Sequence, residues 1–111
     1  MNSVNLVGRT TKELDVRYTN DDLAIARFTL AVDRNKDNTD FIPCVAMGKT
    51  AEFMEKYMKD KGVRIWASGH MQSGQYKNKD GDTVYTLECF ADRVGFADSP
   101  KQEEKPRGKR R

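Results

Sequence analysis

The sequence predicts an all-β fold: a five-stranded Greek-key barrel with one helix between the third and fourth strands. Three observations carry that expectation. Apolar residues alternate with polar ones in runs spread over the first 97 residues, the period of half-buried strands. A single block of helix formers follows the third run, and an Asp-Gly pair separates the last two, where a tight turn needs residues that tolerate positive φ.

The elements follow in order. SVNLVGR, residues 3 to 9, is a short strand. LAIARFTLAVDR, Leu23 to Arg34, is a long one that places Ala24, Ala26, Phe28, Leu30 and Val32 on one face. NKDNTD, Asn35 to Asp40, reads as a polar loop, and FIPCVAM returns to strand. Pro43 has no amide proton for a ladder, so it belongs at an edge or an irregularity. Alternation sets Phe41, Pro43, Val45 and Met47 on one face and Ile42, Cys44 and Ala46 on the other, the barrel-core face.

Thr50 to Lys61, TAEFMEKYMKDK, reads as the helix. Phe53, Met54, Tyr57 and Met58 form its apolar stripe and Gly62 its stop. VRIWASGHM then alternates, with Val63, Ile65, Ala67 and Met71 on the core side and Arg64, Trp66, Ser68 and His70 opposite. The turn at Asp80-Gly81 leads to a last strand from Thr83 to Phe96. This order is that of the OB type of barrel, whose open face commonly binds oligonucleotides.

Charge and composition narrow the function. The net charge of +3 sits in residues 98 to 111, where six Lys/Arg face three acids, whereas the other 97 residues carry 14 of each sign. A nucleic-acid argument for the domain therefore rests on where charges lie. DSPKQEEKPRGKRR has no apolar residue besides two prolines, so it is expected to be a disordered basic tail. No apolar run of membrane-spanning length and no basic-then-apolar leader is seen, which predicts a soluble cytoplasmic protein. Cys44 and Cys89, 45 positions apart without a CxxC spacing, read as buried free thiols. His70 is the one histidine and reads as an exposed strand residue. No metal, cofactor, paired-carboxylate site, phosphate-cradling glycine loop or nucleophile dyad is recognisable, so an enzyme is not expected.

Four segments, VNLVGRTTKELDVRYT, AIARFTLAV, DFIPCVAMGKTAE and SGHMQSGQYKNKDGD, together resemble the bacterial and phage single-stranded DNA-binding proteins, in order and over nearly all of residues 2 to 97. The resemblance implies an OB-fold domain over residues 1–97 that assembles, usually as a homotetramer, and protects single-stranded DNA in replication, recombination and repair without sequence preference. It places Phe41, Met47 and Tyr76 at the family's base-stacking positions. A fourth aromatic position of some members falls near Lys36.

Stacking suits any sequence because every base has a π-face, and flanking cations hold phosphates. The basic candidates are Arg9, Arg34, Lys36, Lys49, Lys77 and Lys79. Alternatives stand beside these roles: Phe41 also suits a subunit interface, Met47 suits packing as well as stacking, and Trp66 suits either a DNA contact or an interface between subunits.

The sequence departs from the family at His70 and Gly74, where many members have arginine, at KELD, where Asp-Pro-Glu is common, and in ending EEKPRGKRR rather than in an acidic tip that recruits replication and repair proteins. Those departures suggest a phage, mobile-element or accessory version. They also leave room for a primosome-type adaptor that uses the fold for protein contacts.

Overall fold

The computed structural model describes residues 1–98. The basic tail expected from residue 98 onward lies, apart from Asp98, outside the described residues. The elements are β1 (Val4–Thr10), β2 (Asp15–Tyr18), β3 (Ala24–Asn35), β4 (Asn38–Met47), α1 (Lys49–Tyr57), β5 (Arg64–Lys77) and β6 (Thr83–Phe96). They pair in the order β1-β5-β6-β4-β3-β2, and β1 also pairs with β3, which closes β1, β5, β6, β4 and β3 into a barrel. The helix joins the third and fourth barrel strands, as expected for the OB type.

The core is built by the predicted alternation. Ala24, Ala26, Phe28 and Leu30 of β3 and Cys44 and Ala46 of β4 are buried, with Ile65 and Ala67 of β5 and Cys89 and Ala91 of β6. Both thiols are buried and free, as expected. Cys44 and Cys89 also stand in register across the β4–β6 seam, a parallel pairing that spans only Cys44↔Cys89 and Val45↔Phe90. Pro43 precedes this seam and is in register with Thr29, so its missing donor falls where the other edge of β4 is open.

Four local expectations are corrected. A sixth strand, β2, pairs with β3 from Asp15↔Arg27 to Tyr18↔Ala24. It has four residues and lacks an apolar run of its own, so only pairing with β3 makes it a strand. The loop at Asn35 to Asp40 contracts to a turn at Lys36 and Asp37, because Asn35 pairs with Asn38 and Asp33 with Thr39. Asn35 Oδ1 accepts from the Asp37 amide at 3.0 Å, the side-chain bond that makes asparagine a turn residue.

The helix ends at Tyr57, well before Gly62. The Lys59 carbonyl accepts from the Leu14 amide at 2.9 Å and the Asp60 carbonyl from Thr10 Oγ1 at 3.1 Å, so bonds to the β1–β2 segment replace further helical ones. Only half of the helix stripe is core: Met54 and Met58 are fully buried, whereas Phe53 and Tyr57 are exposed and meet in a tilted arrangement with ring centroids 5.0 Å apart. The Asp80-Gly81 turn is where it was expected, but only Gly81 has positive φ, 83°. The Gly81 amide donates to the Asn78 carbonyl at 3.0 Å and the Asn78 amide to the Asp82 carbonyl at 3.0 Å, a type I turn followed by a left-handed glycine, which is the usual form of a slightly longer hairpin connection.

Beyond Met71↔Cys89, β5 and β6 continue as a two-stranded arm to Lys77↔Thr83. His70, at the base of this arm, is half-exposed. It stacks on Phe90 with ring centroids 5.8 Å apart, and its Nδ1 lies 3.5 Å from the Asp92 carboxylate.

Candidate nucleic-acid interface

The pleat that turns Ile42, Cys44 and Ala46 toward the core turns Phe41, Pro43, Val45 and Met47 outward. Phe41, opposite Ala31, is 64% exposed. Met47, opposite Ile25, is also exposed. The two share a face but are six positions apart on one strand, about 20 Å at the rise of an extended chain. Between them Val45 is fully buried although it faces outward.

Tyr76 is opposite Val84 on the arm and is 56% exposed. Its ring shares a shallow concavity with Arg27, Pro43, Thr86, Leu87 and Glu88. Because Phe41 is two positions from Pro43 on the same face, the fold brings the two predicted rings near this proline. Phe41 itself lines a second concavity with Val7, Arg9, Ala31 and Arg64.

Trp66 and Lys49 are elsewhere. Trp66 stands opposite Val7 and Gly95 in a concavity lined by Lys49, Thr50, Phe53, Asp92, Arg93 and Val94, which shares no lining residue with the concavities of Phe41 and Tyr76, although Val7 lines that of Phe41. At 37% exposure it is the most covered of the predicted aromatics, and its indole fills the space over Gly95, where a Cβ would come within 2.5 Å of the ring.

The cations fall into two sets. Arg9 donates to the Gly62 carbonyl at 2.9 Å and lies 3.7 Å from Asp98. Arg34 binds the Asp40 carboxylate through both Nε and Nη2; the guanidinium bond holds Asp40 below the usual carboxylate range and raises Arg34. Lys36 sits at the tip of the β3–β4 hairpin and Lys79 in the turn of the arm, with Lys77 at the end of β5. None of these three lysines, nor Lys49, has an ion-pair partner among the described residues.

Arg27 was not singled out from the sequence. It occupies an outward position of β3, stands beside Tyr76 and pairs with Glu88 at 2.9 Å. Its place in the strand alternation was the available signal, since it interrupts the apolar face of AIARF from the opposite side. Among the described residues no group of three or more His, Cys, Asp and Glu is placed to hold a metal, and no helix is long and apolar enough to cross a membrane.

Known proteins resemble this chain over most of its length. The model of the single-strand binding protein family matches residues 1–97. The chain is 43% identical over 110 residues to single-stranded DNA-binding protein B of Bacillus subtilis, covering 94% of this chain and 96% of that one. It is 42% identical over 102 residues to the single-stranded DNA-binding protein of Clostridium perfringens, covering 89% of this chain and 67% of the relative. Against the Bacillus cereus protein of the same description it is 44% identical over 102 residues but spans 59% of the relative's length. With the family match and these identities over most of its length, the chain belongs to the single-strand binding protein family.

Proposed function

We propose that this protein binds single-stranded DNA without sequence preference and protects it during replication, recombination and repair. The observation that carries the reading is the pair of exposed rings near Pro43, Phe41 on the outer face of an OB barrel and Tyr76 on its arm. Stacking on such rings is tolerant of sequence, and lysines at two hairpin tips, without an ion-pair partner among the described residues, supply phosphate contacts. Relatives described as single-stranded DNA-binding proteins support it.

In this reading Phe41 and Tyr76 stack bases, with Met47 continuing the path along β4. Lys36, Lys77 and Lys79 hold phosphates, while Arg9 and Arg34 act only when released from their carboxylate partners. Trp66 and Lys49 contact a separate stretch of the strand or a neighbouring subunit of a homotetramer. The role involves no chemical step, and its setting is the cytoplasm.

Titration with oligo-dT in low salt tests the proposal. Binding is expected to change Trp66 fluorescence or shift a gel band, to be reversed by salt, and to be competed poorly by duplex. Unchanged mobility at micromolar protein would overturn it. The carboxylates that neutralise Arg9, Arg27 and Arg34 favour a second reading, an OB-fold adaptor acting through protein contacts; capture of a replication protein together with negligible strand affinity would select it.

A further inference from the structure

We propose that the Tyr85–Leu87 face of the β5–β6 arm is a second stacking surface for the same DNA strand, so that the strand passes round the arm and contacts both of its faces. This rests on the single-stranded DNA reading above.

The arm's register separates its two faces. Gln75↔Tyr85 and Ser73↔Leu87 face one way, whereas Tyr76↔Val84 and Gly74↔Thr86 face the other. The Tyr85 face continues the line of Cys89 and Ala91, both buried in the barrel. Past the barrel's end no described residue covers that line. Tyr85 is 76% exposed, the most exposed aromatic among the described residues, and Leu87 is 59% exposed. The same alternation that builds the core thus leaves an aromatic and a leucine in solvent: Tyr85 on the face opposite Tyr76, and Leu87 where the unpaired edge of β6 also borders the Tyr76 concavity.

The charges on this face suit a polyanion. Lys77, opposite Thr83, flanks Tyr85 on the diagonal, and no carboxylate lies on this face between Met71 and Lys77 or between Thr83 and Cys89; Glu88 is on the other face, paired with Arg27. Lys79 lies in the turn that joins the two strands, so cations mark the route from one face to the other. The route is open at β6 too, because β4 pairs with β6 only at Cys89 and Phe90.

A protein partner fits less well. Two large apolar side chains offer at most about 400 Å² of contact, well below the roughly 800 Å² per partner of a stable protein interface. A base needs only one ring to stack on.

The test uses the full chain, with oligo-dT of about 8 and of about 30 nucleotides, lengths within and beyond the span of one OB fold. Tyr85→Ala is expected to weaken binding of the long oligonucleotide by about 5- to 50-fold and of the short one by less than about twofold, with Tyr85→Phe near wild type. Tyr76→Ala is expected to weaken both. In wild-type protein, photo-cross-linking to bromouracil-substituted oligo-dT is expected to label the peptide that contains Tyr85, a readout independent of any variant's folding.

Wild-type affinity of Tyr85→Ala at both lengths, with Tyr76→Ala still weakened, would overturn the second surface and leave the first reading standing. A change in the number of subunits per assembly in Tyr85→Ala, read by native mass spectrometry, would make the face an interface between copies, and would overturn it as well. No binding by the wild type at either length would overturn both.

Discussion

Arg27 on β3 donates from Nη1 to Oε2 of Glu88 on β6 at 2.9 Å, reaching across β4, the strand between them. Its register partner on β4 is Val45, which is in turn level with Phe90 on β6. The pair therefore crosses the outward face of β4 beside Val45 and Pro43. The bridge also ties β3 to β6 across the two-residue β4–β6 seam and occupies the cation that lines the Tyr76 concavity.

Glu88→Gln releases Arg27. The expected result is tighter binding of oligo-dT and a salt dependence steeper by about 0.7 in log K against log salt, the contribution of one more phosphate contact. Stability should change by no more than about 1 kcal/mol, since the arginine end of the pair is exposed to water. A fluorescence titration across a salt series checks this, and an unchanged slope would remove Arg27 from the interface.

Tyr76→Ala is expected to lower affinity by about 1–3 kcal/mol, or roughly 5- to 150-fold, the cost of losing one stacked base. Thermal stability should stay within about 0.5 kcal/mol of wild type, because the ring is largely in solvent. Equal losses of stability and affinity would assign the ring to the fold instead.

The Arg34–Asp40 pair predicts a pH effect. Asp40 titrates below the usual carboxylate range because Arg34 donates to it. The stabilisation it contributes is present above the unfolded aspartate value and is lost as pH falls through the lower folded value. Arg34 is therefore held throughout neutral pH, and Asp40→Asn should free it, again steepening the salt slope. A carboxyl titration followed by NMR should find the Asp40 midpoint below that of the other aspartates; an ordinary midpoint would contradict the pairing.

Burial pushes the Cys44 thiol well above its ordinary range and raises Cys89 as well. Since the thiolate is the reactive form, alkylation of the native protein should stay slow as pH rises through the usual thiol range, with both groups reacting promptly in denaturant. Rapid labelling of folded protein would show that the β4–β6 seam opens.

Gly95→Ala places a methyl group where the Trp66 indole lies. The ring must move, so the emission of the protein's one tryptophan should shift while the arm's response to oligo-dT, read by gel shift, is retained. Loss of strand binding in this variant would tie Trp66 to the Tyr76 surface, contrary to their separate concavities.

Much of this protein is legible along the chain because alternation is a local property. Ala24 to Leu30 and Cys44 to Ala46 face inward as their spacing dictates, and the same spacing turns Phe41 and Tyr76 outward. The lost expectations share one cause. β2 exists only through β3, the helix ends early because Thr10 and Leu14 claim its next carbonyls, and the polar loop zips into a hairpin once its flanking strands are paired.

The sequence by itself determined the barrel strands, their inward faces, the position of the arm's turn and the family. Tertiary structure alone decided which outward residues meet: it set Tyr76 beside Pro43 and Arg27, set Trp66 and Lys49 apart, put Cys44 level with Cys89, and occupied arginines that look free in the sequence. Periodicity states which way a side chain points. Only the closing of the barrel brings strands distant in sequence together, and with them the charges and rings that form one surface.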